Sequence, residues 1–417
     1  MGARPQFARF LLAFSALLLL AASCSNRSSD EDTSKIPSFS SPQQGAPTGT
    51  LPELPGRLAV LTESGTLVTM RPDGSDVKPL GEGRDPGLQA SQPTWSPDGT
   101  HIAWIETGPE LSGANIVTSR SDGSDLKVAH VNAGVFYLYW DPMSSRIAYL
   151  GNAPGGQETI QFGVVTEGTR AQVLDTGQPY YFSWSPSGGQ FLVHAGEQLR
   201  VINLSGHGRS IAKPGEFQAP IWSGPTKFFV LEGNGCHGQC LVITSVGRAQ
   251  AFTRSLRGGV RFVVSGDMLI AFQTTESGSG AAPDFGSLKV FQPSSRLTPS
   301  KVTDEPAIAF FWGPRNDLLY LTPEISGTDA WMHWNVWNGN ESFQLPRILL
   351  SPAYFQGYVP FFDQYAQSMT LWSPDGAAFA YPGRNEAGDQ GIWIQQARKG
   401  VDPVRIAAGE VVAWSPA

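Results

Sequence analysis

The chain has 417 residues, room for one large β domain or two to three ordinary ones, and contains Gly 47, Pro 32 and Trp 12. Turn formers and large aromatics in that proportion favour many short strands over helices. A formal net charge of −7 without any polybasic patch argues against a nucleic-acid partner, because sequence-independent binding relies on clustered Lys and Arg.

At the N-terminus, Arg4 and Arg9 precede an apolar run from Phe10 to Leu20, and Ala21, Ala22 and Ser23 stand directly before Cys24. This arrangement resembles a bacterial lipoprotein signal. The resemblance implies that residues 1–23 are a signal peptide cut before Cys24, and that Cys24 carries a lipid. The protein is then exported and lipid-anchored to the cell membrane or outer membrane, on its periplasmic or cell-surface side. An ordinary secretory signal is the alternative, and it also exports the chain. From Ser25 to Gly56 the sequence is rich in Ser, Pro, Gly, Gln and Thr and too poor in apolar residues to fold. Residues 24–56 are therefore expected to be a disordered tether, with a root-mean-square reach of about 30 Å.

Residues 57–417 repeat themselves. Trp95, Trp140, Trp184, Trp222, Trp312 and Trp372 are each followed seven positions later by an apolar residue: Ile102, Ile147, Phe191, Phe229, Leu319 and Phe379. The gap between Trp222 and Trp312 is double, and Val263 with Ile270 fills it, lacking only the indole. Each unit reads as a strand ending in an aromatic, a tight turn, a second strand and two more strands. In Trp95-Ser96-Pro97-Asp98-Gly99, Pro sets φ, Asp can bond the turn backbone and Gly accepts positive φ. A second turn recurs at Pro72-Asp73-Gly74, Ser121-Asp122-Gly123, Thr166-Glu167-Gly168, Leu204-Ser205-Gly206 and Asn338-Gly339. Four strands in roughly 40 to 50 residues is the period of a β-propeller. No 3.6-residue periodicity is evident beyond the N-terminus. The chain ends on a lone first strand, Val411 to Pro416, and the folded region begins with a second strand lacking a first, Leu58 to Thr62. Pairing these ends predicts an all-β, eight-bladed propeller with four-stranded blades; seven blades follow if the Val263 unit does not form.

These units resemble the TolB-type propeller repeat, found also in prolyl oligopeptidase and dipeptidyl peptidase enzymes. Its W-S-P-D-G signature is matched closely at Trp95 to Trp104 and at Trp372 to Tyr381. At the other units Asp141 replaces Ser, Gly224 precedes Pro225 and Gly313 precedes Pro314. The resemblance implies a fold, covers Arg57 to Ala417, and leaves partner and activity open.

Three segments fall on loops that can carry function. Cys236 and Cys240 are expected to form a disulfide in an exported protein, since a metal reading with His237 lacks two further ligands. Thr274 to Ser287 is a Gly- and Ser-rich solvated loop, without the Lys-Ser/Thr of a phosphate cradle. The third comprises Thr328 to Asn340 and Ala353 to Tyr365, dense in aromatics. Trp331, Trp334, Tyr354, Phe355, Tyr358, Phe361 and Phe362 are candidates for an exposed binding face, with packing onto their own blade as the alternative. The six histidines are scattered, neither HExxH nor GxSxG occurs, and no catalytic residue, metal ligand or cofactor is assigned. The expected function is a membrane-tethered binding or scaffold protein for an envelope protein, peptide or glycan. The alternative is an exported propeller enzyme, such as a polysaccharide or lactone-type lyase.

Overall fold

A computed structural model describes residues 50–417, apart from 82–83, 86, 156–158, 167, 216–217, 223, 225–226, 233–238, 246–247, 257–258, 277–283, 294–297 and 327–328. Cys24 and Cys236 lie outside the described residues, and only the backbone of Cys240 is described. Strands are the dominant regular structure of the described residues, arranged as five four-stranded sheets, one of five strands and one of seven. The fold is a β-propeller. Within each four-stranded sheet the neighbours are antiparallel and consecutive in sequence, save where Leu58–Leu61 pairs with Val411–Trp414. That pairing sets Leu58 opposite Trp414 and Leu61 opposite Val411, with all eight side chains buried or nearly so.

The first turn of each unit explains its sequence. Ser96 N donates to His101 O, Asp98 Oδ1 accepts from Thr100 N and Ser96 Oγ, and Gly99 takes φ +68°. Where Asp141 stands in place of Ser, its Oδ1 accepts from Ser145 N and Arg146 N, so the carboxylate performs the bonding of the hydroxyl. Trp95, Trp140, Trp184 and Trp372 pair with the residue seven positions on. At the other units the sequence-based register is corrected. Trp222 pairs with Phe228, Val264 with Ile270 and Trp312 with Leu318, a spacing of six. In the latter two the turn is one residue shorter, with Ser265 N bonding Leu269 O and Gly313 N bonding Asp317 O. Val264, rather than Val263, therefore occupies the missing tryptophan's place.

The indoles fasten neighbouring sheets. Trp95 Nε1 donates to Ala413 O, Trp140 to Thr94 O, Trp184 to Tyr139 O and Trp312 to Val263 O, at 3.0–3.3 Å. Each acceptor is the residue just before the tryptophan position of the preceding sheet. These bonds place the turns that follow Trp95, Trp140, Trp184 and Trp312 on one face of the molecule, called the lower face below. Buried indoles with a bonded N–H combine a large apolar area with a satisfied donor, which is why Trp serves here better than Phe. Trp414 Nε1 donates instead to Pro55 O at 2.9 Å, so the chain enters the fold from the lower face.

The expectation of strands alone is corrected between the last two units. Helices at Pro352–Gly357 and Phe362–Ser368 are separated by a 3-10 turn at Val359–Phe361. Ser351 Oγ accepts from Tyr354 N and Pro352 stands in the first turn, both favourable helix starts. Tyr354, Tyr358, Phe362, Tyr365 and Met369 are buried at spacings of three and four, a helical stripe. The stripe was concealed in the sequence because so many other aromatics are interspersed.

Candidate binding site at the plugged channel

The helical insert leaves the seven-stranded sheet at its upper end, where Leu350 pairs with Gly383, and returns at the lower end, where Trp414 N donates to Thr370 O. Between these points it meets the first strands of successive sheets. Thr94 Oγ1 donates to Ser368 O at 2.7 Å, and Tyr137 OH to Gln364 O at 3.1 Å. The Gln364 amide accepts from Phe182 N and donates to Phe182 O, at 3.3 and 2.9 Å. Asp363 Oδ2 accepts from Ala219 N at 3.0 Å and Gln218 Nε2 at 2.6 Å. Phe362 lies 4.5 Å from the Phe310 ring, with the Arg261 guanidinium 4.1 Å over its face. The insert is thus a plug on the axis around which the first strands stand. Those strands have an edge without a strand partner, and the plug's side chains satisfy part of it as a strand would.

One charge sits inside the plug. Burial pushes the Asp363 carboxyl above its ordinary range, opposed by the Arg261 guanidinium nearby. Burial in turn lowers Arg261. Behind them, His194 is 2% exposed, with Nδ1 3.4 Å from Gln218 O, and burial drops its pKa to about 4. Between pH 4 and about 6.5 the unfolded chain binds a proton here that the native chain does not, so stability falls as pH falls through this window. His194→Gln is expected to flatten the acid-side loss by about 2 to 3 kcal/mol, read as the difference in urea midpoint between pH 7 and pH 4.5. An unchanged difference would remove His194 as the source.

The seven aromatic candidates separate sharply. Trp334, Tyr354, Tyr358 and Phe362 are buried at 1%, 0%, 5% and 0% exposure, which corrects the expectation that they form an exposed face. Trp334 packs against Phe311, Phe379 and Tyr381 in the core, and Tyr354, Tyr358 and Tyr365 stack within the plug. An insert that must fill an axis lined by β-sheet edges buries its rings for the same reason any core does. Phe361 remains 49% exposed, and Trp331 and Phe355 are half-buried. Trp331 lies under the Arg347 guanidinium, 5.0 Å from ring to Cζ, at the upper end of the long strands Leu318–Ser326 and Asp329–Trp337. Arg347 also bridges Glu324 and Glu386. His333 Nε2 is 2.6 Å from Glu324 Oε2, and this contact, with Arg347, holds the Glu324 carboxyl below its usual range. Phe136, 36% exposed, lies beside the plug, its carbonyl 3.5 Å from Tyr365 OH. Trp331 therefore stands beside an ion-pair network at the upper end of its strands, while Phe361 is exposed on the plug and Phe136 beside it.

The residues that the sequence reading missed are polar: Asp363, Gln364, Arg261 and Gln218. A lone Asp or Gln in an aromatic segment has no local pattern, since its partners are about 100 to 230 residues away in the chain.

No protein-family model matches the chain, and no curated protein matches it. Among solved structures, one described as the eukaryotic initiation factor is 10% identical with a TM-score of 0.54, covering 87% of this chain and 98% of that one. The beta-propeller domain of the Trilobed protease from Pyrococcus furiosus, described with an open velcro topology, is 11% identical with a TM-score of 0.48 over 76% and 99% of the two chains. TolB from Acinetobacter baumannii is 17% identical with a TM-score of 0.34, over 61% and 66%. At such identities the likeness concerns the fold alone.

Proposed function

We propose that the protein is an exported, lipid-tethered binding or scaffold protein, which presents the upper face of an eight-bladed propeller to an envelope protein, peptide or glycan. The eight blades are the seven sheets, with the seven-stranded one divided where Leu349 and Leu350 meet Arg384 and Gly383. The pairing of Leu58–Leu61 with Val411–Trp414 closes the ring. The observation that carries the functional reading is the plug: the axis is filled by the protein's own hydrogen-bonded insert, so a partner meets the rims rather than a deep cleft. The chain enters at the lower face beside Trp414, so a tether from Cys24 joins the fold at the face opposite the proposed binding face. Trp331 and Phe361 then stand outward on a rigid ring, where binding costs little ordering.

One fractionation and crosslinking experiment on the full chain tests this. Wild-type protein is expected in the membrane fraction and Cys24→Ala in the soluble one. Immunoprecipitation after crosslinking is expected to recover a partner with wild type. The Trp331→Ala, Phe361→Ala variant should recover at least about tenfold less, the size of effect typical of aromatic anchors. Equal recovery from both proteins, or none from wild type, overturns the face; membrane retention of Cys24→Ala overturns the anchor.

A further inference from the structure

Among the described residues, Asn338 is the one asparagine followed by glycine; the other Asn-Gly pair of the sequence, Asn234-Gly235, lies outside them. Asn338 to Glu341 form the turn between Asp329–Trp337 and Ser342–Leu350, and all four residues are exposed. The turn lies at the lower face, since Trp337 pairs with Leu318 and Leu318 with Trp312. Asn338 N donates to Glu341 O at 3.1 Å, while the side-chain carbonyl Oδ1 of Asn338 accepts from Asn340 N at 3.1 Å and Glu341 N at 3.0 Å. Gly339 takes φ +94°, and a Cβ placed on it would meet nothing within 4 Å. Neither a side chain of its own nor a neighbouring segment covers that side of the peptide.

We infer that Asn338 is a self-modification site, at which the Gly339 peptide nitrogen displaces ammonia from the Asn338 side-chain amide. The site depends neither on the upper face nor on the lipid anchor. Gly339 N gives its proton to hydroxide and bonds Asn338 Cγ; the side-chain nitrogen takes a proton from water and leaves as ammonia, which closes a five-membered imide. Water then opens the ring. Attack at Cγ breaks the new Cγ–N bond and leaves Asp, whereas attack at the Asn338 backbone carbonyl carbon breaks the original peptide bond and leaves an isoaspartyl linkage through Cγ. Water and hydroxide are the only reagents. Glycine matters because the nitrogen must close on Cγ, and residue 339 has no Cβ to obstruct it. The two N–H groups on Oδ1 draw electron density from the amide carbonyl, and they already stand where negative charge develops on attack. Asn203 supplies a comparison within the molecule. In the turn between Gln198–Asn203 and Gly208–Ala212, its Oδ1 accepts from Ser205 N at 2.9 Å and His207 N at 3.1 Å, but Leu204 follows it. Asn203 shares the polarised carbonyl and lacks the unobstructed nucleophile.

The test incubates the full native chain at neutral and at mildly alkaline pH, with a second sample held unfolded in urea. Peptide mass reads the exchange of NH2 for OH at each asparagine, and chromatography separates the Asp from the isoaspartyl product. Native Asn338 is expected to convert to both products, faster at the higher pH because the attacking nitrogen must lose its proton. Asn203 should convert at least about tenfold more slowly in the same sample, and Gly339→Ala should slow Asn338 by a similar factor. The Asn203 comparison needs no variant, so it stands even if Gly339→Ala does not fold. The inference is overturned by an intact native Asn338, whatever the unfolded chain does, since the turn would then shield the amide. Conversion of Asn203 as fast as Asn338, or an unchanged rate in a folded Gly339→Ala, overturns it as well. Capture of an envelope partner through Trp331 and Phe361 can survive every one of those results, so the two readings fail separately.

Discussion

Asp363→Ala is expected to destabilise the protein by about 2 to 4 kcal/mol, because it removes the buried carboxylate that accepts from Ala219 N and Gln218 Nε2 and whose charge offsets that of Arg261 nearby. Asp363 is 4% exposed, accepts from Ala219 N and Gln218 Nε2, and faces the Arg261 guanidinium stacked on Phe362. The substitution removes the carboxylate nearest the Arg261 charge and leaves the buried Ala219 N without an acceptor, while Gln218 Nε2 keeps only its longer bond to Phe262 O. Adding Arg261→Met should restore part of the loss, since an apolar side chain in that position needs no counter-charge. Urea midpoints of wild type, the single variants and the double variant give the coupling directly. A loss under about 1 kcal/mol for Asp363→Ala would mean that the plug is held by its aromatic stack and not by this pair.

Truncation after Gly409 is expected to have the larger effect. It removes Val411, Val412, Ala413 and Trp414, which are 3%, 0%, 1% and 0% exposed, and with them the strand that pairs with Leu58–Leu61. Burial of those side chains is worth about 6 to 8 kcal/mol, comparable with the whole stability of an ordinary domain. Three further bonds go as well: Trp95 Nε1 to Ala413 O, Trp414 N to Thr370 O, and Trp414 Nε1 to Pro55 O. The truncated chain should be insoluble or unfolded at room temperature, with the edge of Leu58–Leu61 open to other chains. Trp414→Ala is the milder form, with an expected loss of about 3 to 5 kcal/mol. A truncated protein with the wild-type urea midpoint would show that the terminal pairing contributes nothing to the fold.

The repeat made the strands legible before any coordinates, because each part of it is a local physical requirement. Pro97, Asp98 and Gly99 shape one turn, and Trp95 and Ile102 face each other across it, all within eight residues. The terminal pairing was legible too, since an orphan first strand and an orphan second strand have only each other. The one-residue error at Val263 arose because a turn shortened by one residue preserves the apolar pattern while shifting the register, and only the pairing of Val264 with Ile270 resolves it. The aromatic insert was visible as unusual but its destination was not. Whether Tyr354, Tyr358 and Phe362 face solvent or an axis depends on the other sheets, and on Gln364 finding Phe182 some 182 residues away. Local chemistry along the chain determined the strands, their turns and the pairing of the ends. The plug and the buried Asp363 were decided by tertiary structure, because each exists only where segments distant in sequence converge on one axis.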